Sequence, residues 1–137
     1  MRVCVDTNVL VQLFGSARPF APIADALQQG GLEFAVSNEI LLEYEETLTR
    51  LSGQGRWQMV WRFLEGISRL HNNVLYVDPH FRLRVVTADP DDDKFVDCAI
   101  AAEADFILTS DRHFDVLHSS GYKPKPIGPQ EFIAGHL

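Results

Sequence analysis

Residues 3–8 read Val3-Cys4-Val5-Asp6-Thr7-Asn8 (VCVDTN): three β-formers end on a carboxylate, and two small polar residues follow. Arg2 to Asp6 is a short, nearly continuous apolar run, as expected of a strand buried on both faces of a parallel sheet. Thr7 or Asn8 can cap the helix that follows, whose apolar stripe is Val9, Leu10, Leu13 and Phe14. A strand feeding straight into a helix opens an α/β fold. This one aims an acid at its own carboxyl end, the rim of an open α/β sheet where ligands gather. One acid there means little; its role depends on which other carboxylates reach it.

The rest of the chain keeps the same alternation. Pro19 to Gln29 predicts a second helix, stopped by Gly30-Gly31, and Phe34 to Val36 a second strand. Ser37 is a good N-cap for a helix to about Leu51, with Glu43 near its middle. Gly53 and Gly55 mark a turn, and a longer helix from Arg56 to His71 shows Val60, Phe63, Leu64, Ile67 and Leu70 at helical spacing. Val74 to Val77 is a third strand, and residues 79–90 an irregular connection in which Val85 and Val86 form a short extended piece. Asp92 to Ala104 predicts a helix, Phe106 to Thr109 a fourth strand, Lys125 to Ile127 a fifth, and Pro129 a final helical turn. Strands alternating with helices imply a three-layer α/β/α domain with a central, mostly parallel sheet. No repeat or linker divides residues 1–137, so a single domain is expected.

Composition bounds the function. At 137 residues the chain can bury roughly 68% of the surface its unfolded form exposes, enough for a core without disulfides. Its two cysteines, Cys4 and Cys98, sit in apolar segments and read as reduced, buried thiols. No apolar run approaches the ~20 residues that span a bilayer, so the expectation is a cytoplasmic protein with no membrane partner. The net charge of −7 argues against a non-specific nucleic-acid binder with a basic face. The acids are unevenly placed: Asp89, Asp91, Asp92, Asp93 and Asp97 share one nine-residue window. Such a cluster repels itself unless something positive sits inside it.

Asp6 ends the first strand and Asp111 follows the fourth, so both open onto one rim of the sheet. Asp92 and Asp93 start a helix, and Glu43 lies on the helix after the second strand. Convergent carboxylates raise one another's pKa, which a divalent cation relieves. An all-oxygen set suits Mg²⁺ or Mn²⁺, and a metal pair about 3.5–4 Å apart can clamp both sides of a phosphoryl displacement. No His or Cys spacing suggests zinc. The pocket chemistry points to phosphodiester hydrolysis.

Three segments, VCVDTNVL (3–10), SNEILLEYEETL (37–48) and DPDDDKFVDCAIAAEADFILTSDRHF (89–114), together resemble the PIN-domain family, closest to its bacterial branch of VapC-type ribonuclease toxins. The similarity spans essentially the whole chain in the family's motif order, and the last segment is its most specific part. The resemblance implies a metal-dependent endoribonuclease acting on RNA, the toxin of a toxin–antitoxin pair, and a homodimer. By position, Asp6, Glu43 and Asp111 match three of the family's acids. The third acid in chain order is Asp92 when counted back from Glu103 and Asp93 when counted back from Asp111; Asp92 is favoured. The implied metal set is thus Asp6, Glu43, Asp92 or Asp93, and Asp111, with Asp97 as an accessory acid and Asn8 and Thr109 orienting carboxylates or waters. A cognate antitoxin would place an Arg or Lys in the pocket.

Each residue also has an ordinary reading. Glu39, Glu43, Glu45 and Glu46 can form a solvated helix face, and the Asp89–Asp93 run an exposed turn with an N-cap. All five histidines read as structural or exposed, with His113 standing near Asp111. Trp57 and Trp61 suit core or dimer contact better than base stacking. Arg50, Arg56, Arg62 and Arg69 are equally a basic rim or a solvated face, and Lys94 either steadies the acids or contacts a phosphate. Three further possibilities compete with the toxin: an RNA-processing nuclease without toxicity, a non-catalytic metal- or protein-binding module, and a phospho-acceptor signalling domain.

Overall fold

The computed structural model describes residues 1–84, 86 and 90–137. Five strands, β1 (Arg2–Val5), β2 (Glu33–Val36), β3 (Val74–Tyr76), β4 (Phe106–Leu108) and β5 (Lys125–Ile127), form one sheet in the order β3-β2-β1-β4-β5. Every neighbouring pair is parallel, with Cys4 opposite both Ala35 and Ile107. The sheet expected to be mostly parallel is parallel throughout. Among the described residues, six helices complete the α/β/α layers: α1 (Thr7–Leu13), α2 (Ala21–Gln28), α3 (Asn38–Ser52), α4 (Gln54–His71), α5 (Asp93–Ala101) and α6 (Pro129–His136). Two 3-10 segments, Pro90–Asp92 and Arg112–Ser119, flank the α5–β4 unit.

Burial explains the elements. Val3, Cys4 and Val5 are wholly buried, as are Phe34, Ala35 and Val36 in the neighbouring strand, consistent with a sheet covered on both faces. Ile40, Tyr44 and Leu48 bury one face of α3 at four-residue spacing, and Val60, Leu64 and Ile67 do so for α4. The Ser37 hydroxyl accepts from the Ile40 amide and caps α3, as its sequence position predicts. Beyond α4, Asn73 is buried and its amide donates to the carbonyls of Leu27 and Leu32, tying the start of β3 to the α2–β2 connection.

Several boundaries depart from the sequence reading. The helix expected over 92–104 becomes a 3-10 turn, Pro90–Asp92, followed by α5, Asp93–Ala101. Glu103 takes a left-handed backbone (φ 54°), which closes that helix and turns the chain into β4. Val86 is buried but not in a strand, while Val85 and Asp89 lie outside the described residues. The 3-10 segment Arg112–Ser119 was not anticipated; it buries Phe114 and Leu117 beside β5. Cys4 and Cys98 are free and buried, as expected of reduced thiols.

Connectivity decides where the site lies. The chain passes from β1 outward through β2 and β3, then returns to the other flank of β1 as β4. β1 and β4 therefore border the topological switch point, where loops diverge and leave a crevice at the strands' carboxyl ends. Asp6 leaves β1 there, and Thr109 to Asp111 leave β4.

Candidate active site

Asp6 is 5% exposed and held by both oxygens. Oδ1 accepts from the Thr7 amide at 2.8 Å, capping α1, and Oδ2 accepts from the Thr109 hydroxyl at 2.8 Å. Each carboxylate oxygen has two lone-pair directions, so these bonds leave acceptor capacity on both. The Thr109 oxygen in turn accepts from the Asp111 amide at 3.0 Å, linking the two acids through one hydroxyl. Burial raises the Asp6 pKa above the ordinary carboxylate value; the bonds from Thr109 and Thr7 oppose this, and the like charges of Asp111 and Glu43 add to it. Thr109, expected to orient carboxylates or waters, is hydrogen-bonded to both the Asp6 carboxylate and the Asp111 amide.

Asp111 caps the 3-10 segment, its Oδ1 accepting from the His113 amide at 2.9 Å. The His113 ring bends back over the same residue: Nδ1 stands 3.3 Å from Asp111 Oδ1 and 3.8 Å from Asp92 Oδ2. Asp92, Asp111 and His113 offer ligand atoms that all lie within 4.8 Å of one another. The donor set suits a small divalent cation: two carboxylates supply hard oxygens and charge, and one imidazole is tolerated by Mn²⁺ better than by Mg²⁺. His113 was read as structural or exposed; the structure places it in the cluster. A two-residue step from Asp111 carries no ligand signature in sequence, and only the 3-10 turn folds the ring back.

Glu43 stands apart from that triad. Its Oε2 accepts a hydrogen bond from the Thr7 hydroxyl, while Oε1 pairs with Lys94 Nζ at 2.5 Å. The Lys94 and Glu43 side chains are 19% and 27% exposed, so this pair is largely withdrawn from solvent.

The structure separates Asp92 from Asp93. Asp93 is 7% exposed and its Oδ1 accepts from the Val86 amide at 3.0 Å. Asp97, one turn further, is likewise buried and accepts from the Leu83 amide at 3.2 Å. Both acids anchor the segment that leads into α5, whereas Asp92 faces Asp111 and His113. Asn8 is exposed in the first turn of α1. Among the arginines of the expected rim, Arg56 donates to the Phe14 carbonyl at 2.7 Å and Arg69 pairs with Glu65 one turn away. The Trp57 and Trp61 rings are tilted against each other, centroids 5.9 Å apart, and line a groove with Leu41, Leu42 and Glu45.

One regularity explains how distant residues hold these positions. Glu43, Lys94 and His113 are each followed by a fully buried aromatic: Tyr44, Phe95 and Phe114. Tyr44–Phe95 and Phe95–Phe114 ring centroids are each 6.5 Å apart, within the range of favourable aromatic contact. Three elements thus meet through one aromatic row, and the polar residue beside each ring is carried to the rim.

This parallel sheet, with acids gathered at its switch point, defines an α/β/α domain built to hold charge at its carboxyl edge. A PIN domain model matches residues 2–113, and the chain belongs to the PIN-domain family. Among solved structures it is similar to VapBC2 from Rickettsia felis bound to a DNA fragment from their promoter (TM-score 0.61, 13% identity, covering 93% of this chain and 99% of that one). It is also similar to FitAcB from Neisseria gonorrhoeae (TM-score 0.57, 16% identity, covering 98% and 99%). At such identities the likeness concerns the fold. Among curated proteins, none matches this chain. No helix among the described residues is long and apolar enough to cross a membrane.

Proposed function

We propose that this protein is a divalent-cation-dependent endoribonuclease, hydrolysing RNA phosphodiester bonds, and the toxin of a toxin–antitoxin pair. The observation that carries this reading is the convergence of Asp92, Asp111 and His113 within 4.8 Å, beside a buried Asp6. Asp6, Glu43, Asp92 and Asp111 are its functional acids, and residues 1–137 act as one domain. Between the two candidates for the third acid in chain order, Asp92 is favoured because the Asp93 carboxylate is engaged with the Val86 amide.

When bound, a Mg²⁺ or Mn²⁺ ion supplies the charge that makes water nucleophilic and stabilises the oxygen leaving phosphorus. The chain's own part is positional. Asp92, Asp111 and His113 would hold the cation. Thr109 holds the Asp6 carboxylate by donating to its Oδ2 and links it to the cluster by accepting from the Asp111 amide. The 3-10 turn holds the His113 ring over the two acids. Hydrolysis of this kind does not need the substrate's 2′-OH, so the preference for RNA rests on the family resemblance.

The VapC-like branch further supports an antitoxin partner, a homodimer and a cytoplasmic location. An antitoxin can silence such a site by inserting an Arg or Lys among the acids. The Lys94–Glu43 pair shows that an ammonium fits one of these carboxylates.

The test is a Mn²⁺ titration of single-stranded RNA cleavage by wild type and Asp6→Asn. Asn preserves shape, its Oδ1 accepting from Thr7 and its amide donating to the Thr109 oxygen. The expected result is a rate loss of about a hundredfold or more, typical of removing a key electrostatic group. Equal activity in the two proteins would refute the assignment.

A further inference from the structure

Glu43 is paired with a cation of the protein itself, Lys94 Nζ at 2.5 Å. Its second oxygen is occupied by the Thr7 hydroxyl, so the carboxylate is held from both sides. Asp92, Asp111 and His113 form the compact triad without it. The site therefore has a cluster of Asp92, Asp111 and His113 beside Asp6, and a further acid, Glu43, engaged by the protein's own charge.

The position of Lys94 suits it to release that acid. It lies in the first turn of α5, two residues after Asp92, and its flexible four-carbon stem carries a compact point charge. The same side chain lines a neighbouring cavity of about 270 Å³, whose wall also carries the acids Glu39, Asp78 and Asp97 and the cation Arg82. Lys94 thus stands in the wall between Glu43 and an open pocket, and its ammonium can exchange one for the other.

We propose that Lys94 is an internal counter-cation that holds Glu43 out of the metal set and so weakens the protein's intrinsic divalent affinity. This rests on the nuclease reading above and adds to it a device that limits metal loading. For a divalent ion to engage Glu43, Lys94 would have to be displaced, and its ammonium would then turn toward the acids of the adjoining cavity. The positive charge lost from the carboxylate is replaced by that of the metal, and the displaced ammonium meets an anion.

The consequence runs against ordinary intuition: removing a residue from the site improves metal binding. Calorimetric titration of Mn²⁺ into wild type, Lys94→Met and Lys94→Arg reads it without reference to cleavage. The expected result is a dissociation constant about tenfold lower for Lys94→Met, as follows from deleting one nearby like charge in a partly shielded site. Lys94→Arg, which restores the charge, should return the constant to the wild-type value or above it. Lys94→Met should also melt earlier than wild type without metal and show the larger Mn²⁺-induced rise in Tm. Lys94→Gln serves the same purpose if Lys94→Met fails to fold. A dissociation constant for the neutral variant equal to or weaker than wild type, with wild-type binding abolished in Asp111→Asn, would overturn this inference and leave the nuclease reading standing. A wild type that binds no Mn²⁺ would overturn both.

Discussion

Tyr44→Phe tests how the site is held together. The Tyr44 hydroxyl donates to the Val5 carbonyl across 39 residues of sequence, in a fully buried setting. Val5 precedes Asp6 and Tyr44 follows Glu43, so this one bond ties together the backbones that carry two of the proposed site acids. Burial pushes the phenol pKa well above its ordinary value, so the hydroxyl remains a donor at any working pH. Phe keeps the ring and its contacts with Phe34 and Phe95 but removes the donor. A lost buried hydrogen bond with its acceptor left in place costs about 1–2 kcal/mol. With the usual unfolding entropy per residue, that lowers the Tm of a 137-residue chain by about 3–7 °C. Differential scanning calorimetry measures the loss, and a Mn²⁺ titration of the same samples should show weaker binding because Glu43 and Asp6 are less firmly related. An unchanged Tm would refute the view that this bond organises the rim.

Charge changes elsewhere give further expectations. Asp105 has a lowered pKa, chiefly because its carboxylate accepts the Arg2 amide and secondarily because of Lys123. Its stabilising effect is therefore full above the ordinary Asp value of about 3.9 and disappears as pH falls through the lower folded value. Urea unfolding should show Asp105→Asn less stable than wild type at pH 7, with the gap closing in acid. Asp6 has the opposite sign: its raised pKa means that the charged form is penalised by folding at neutral pH. Metal-free Asp6→Asn should accordingly melt above wild type at pH 7, with the difference shrinking as pH falls through the raised folded value; a lower Tm at pH 7 would count against the burial argument.

The parts legible in the sequence were those that depend on local pattern. Apolar runs marked β1 and β2, helical spacing marked α4, and Ser37 marked the start of α3. The acids' positions relative to each strand end were also legible, because a side chain at the end of a parallel strand faces the rim whatever its neighbours do. The order of strands was not, since it is set by pairings such as Cys4 with Ile107 across about a hundred residues. The split of the expected 92–104 helix reflects the turn at Pro90–Asp92 and the left-handed Glu103, both of which are backbone choices made by packing. Counting leaves Asp92 and Asp93 as alternatives with Asp92 favoured; the hydrogen bond from the Val86 amide to Asp93 is a tertiary contact that counting does not reach. From sequence, His113 reads only as standing near Asp111, and Lys94 only as steadying the acids or contacting a phosphate, for a related reason. Their contacts are tertiary, created when Tyr44, Phe95 and Phe114 pack together.

The most direct test of the central claim is anomalous X-ray scattering from crystals soaked in Mn²⁺. A peak bounded by Asp92, Asp111 and His113, with Asp6 beside it, is the result expected if these distant side chains have been brought together to hold a divalent cation. A saturating soak that leaves this cluster without a peak, or places the ion on another face of the sheet, would contradict the account.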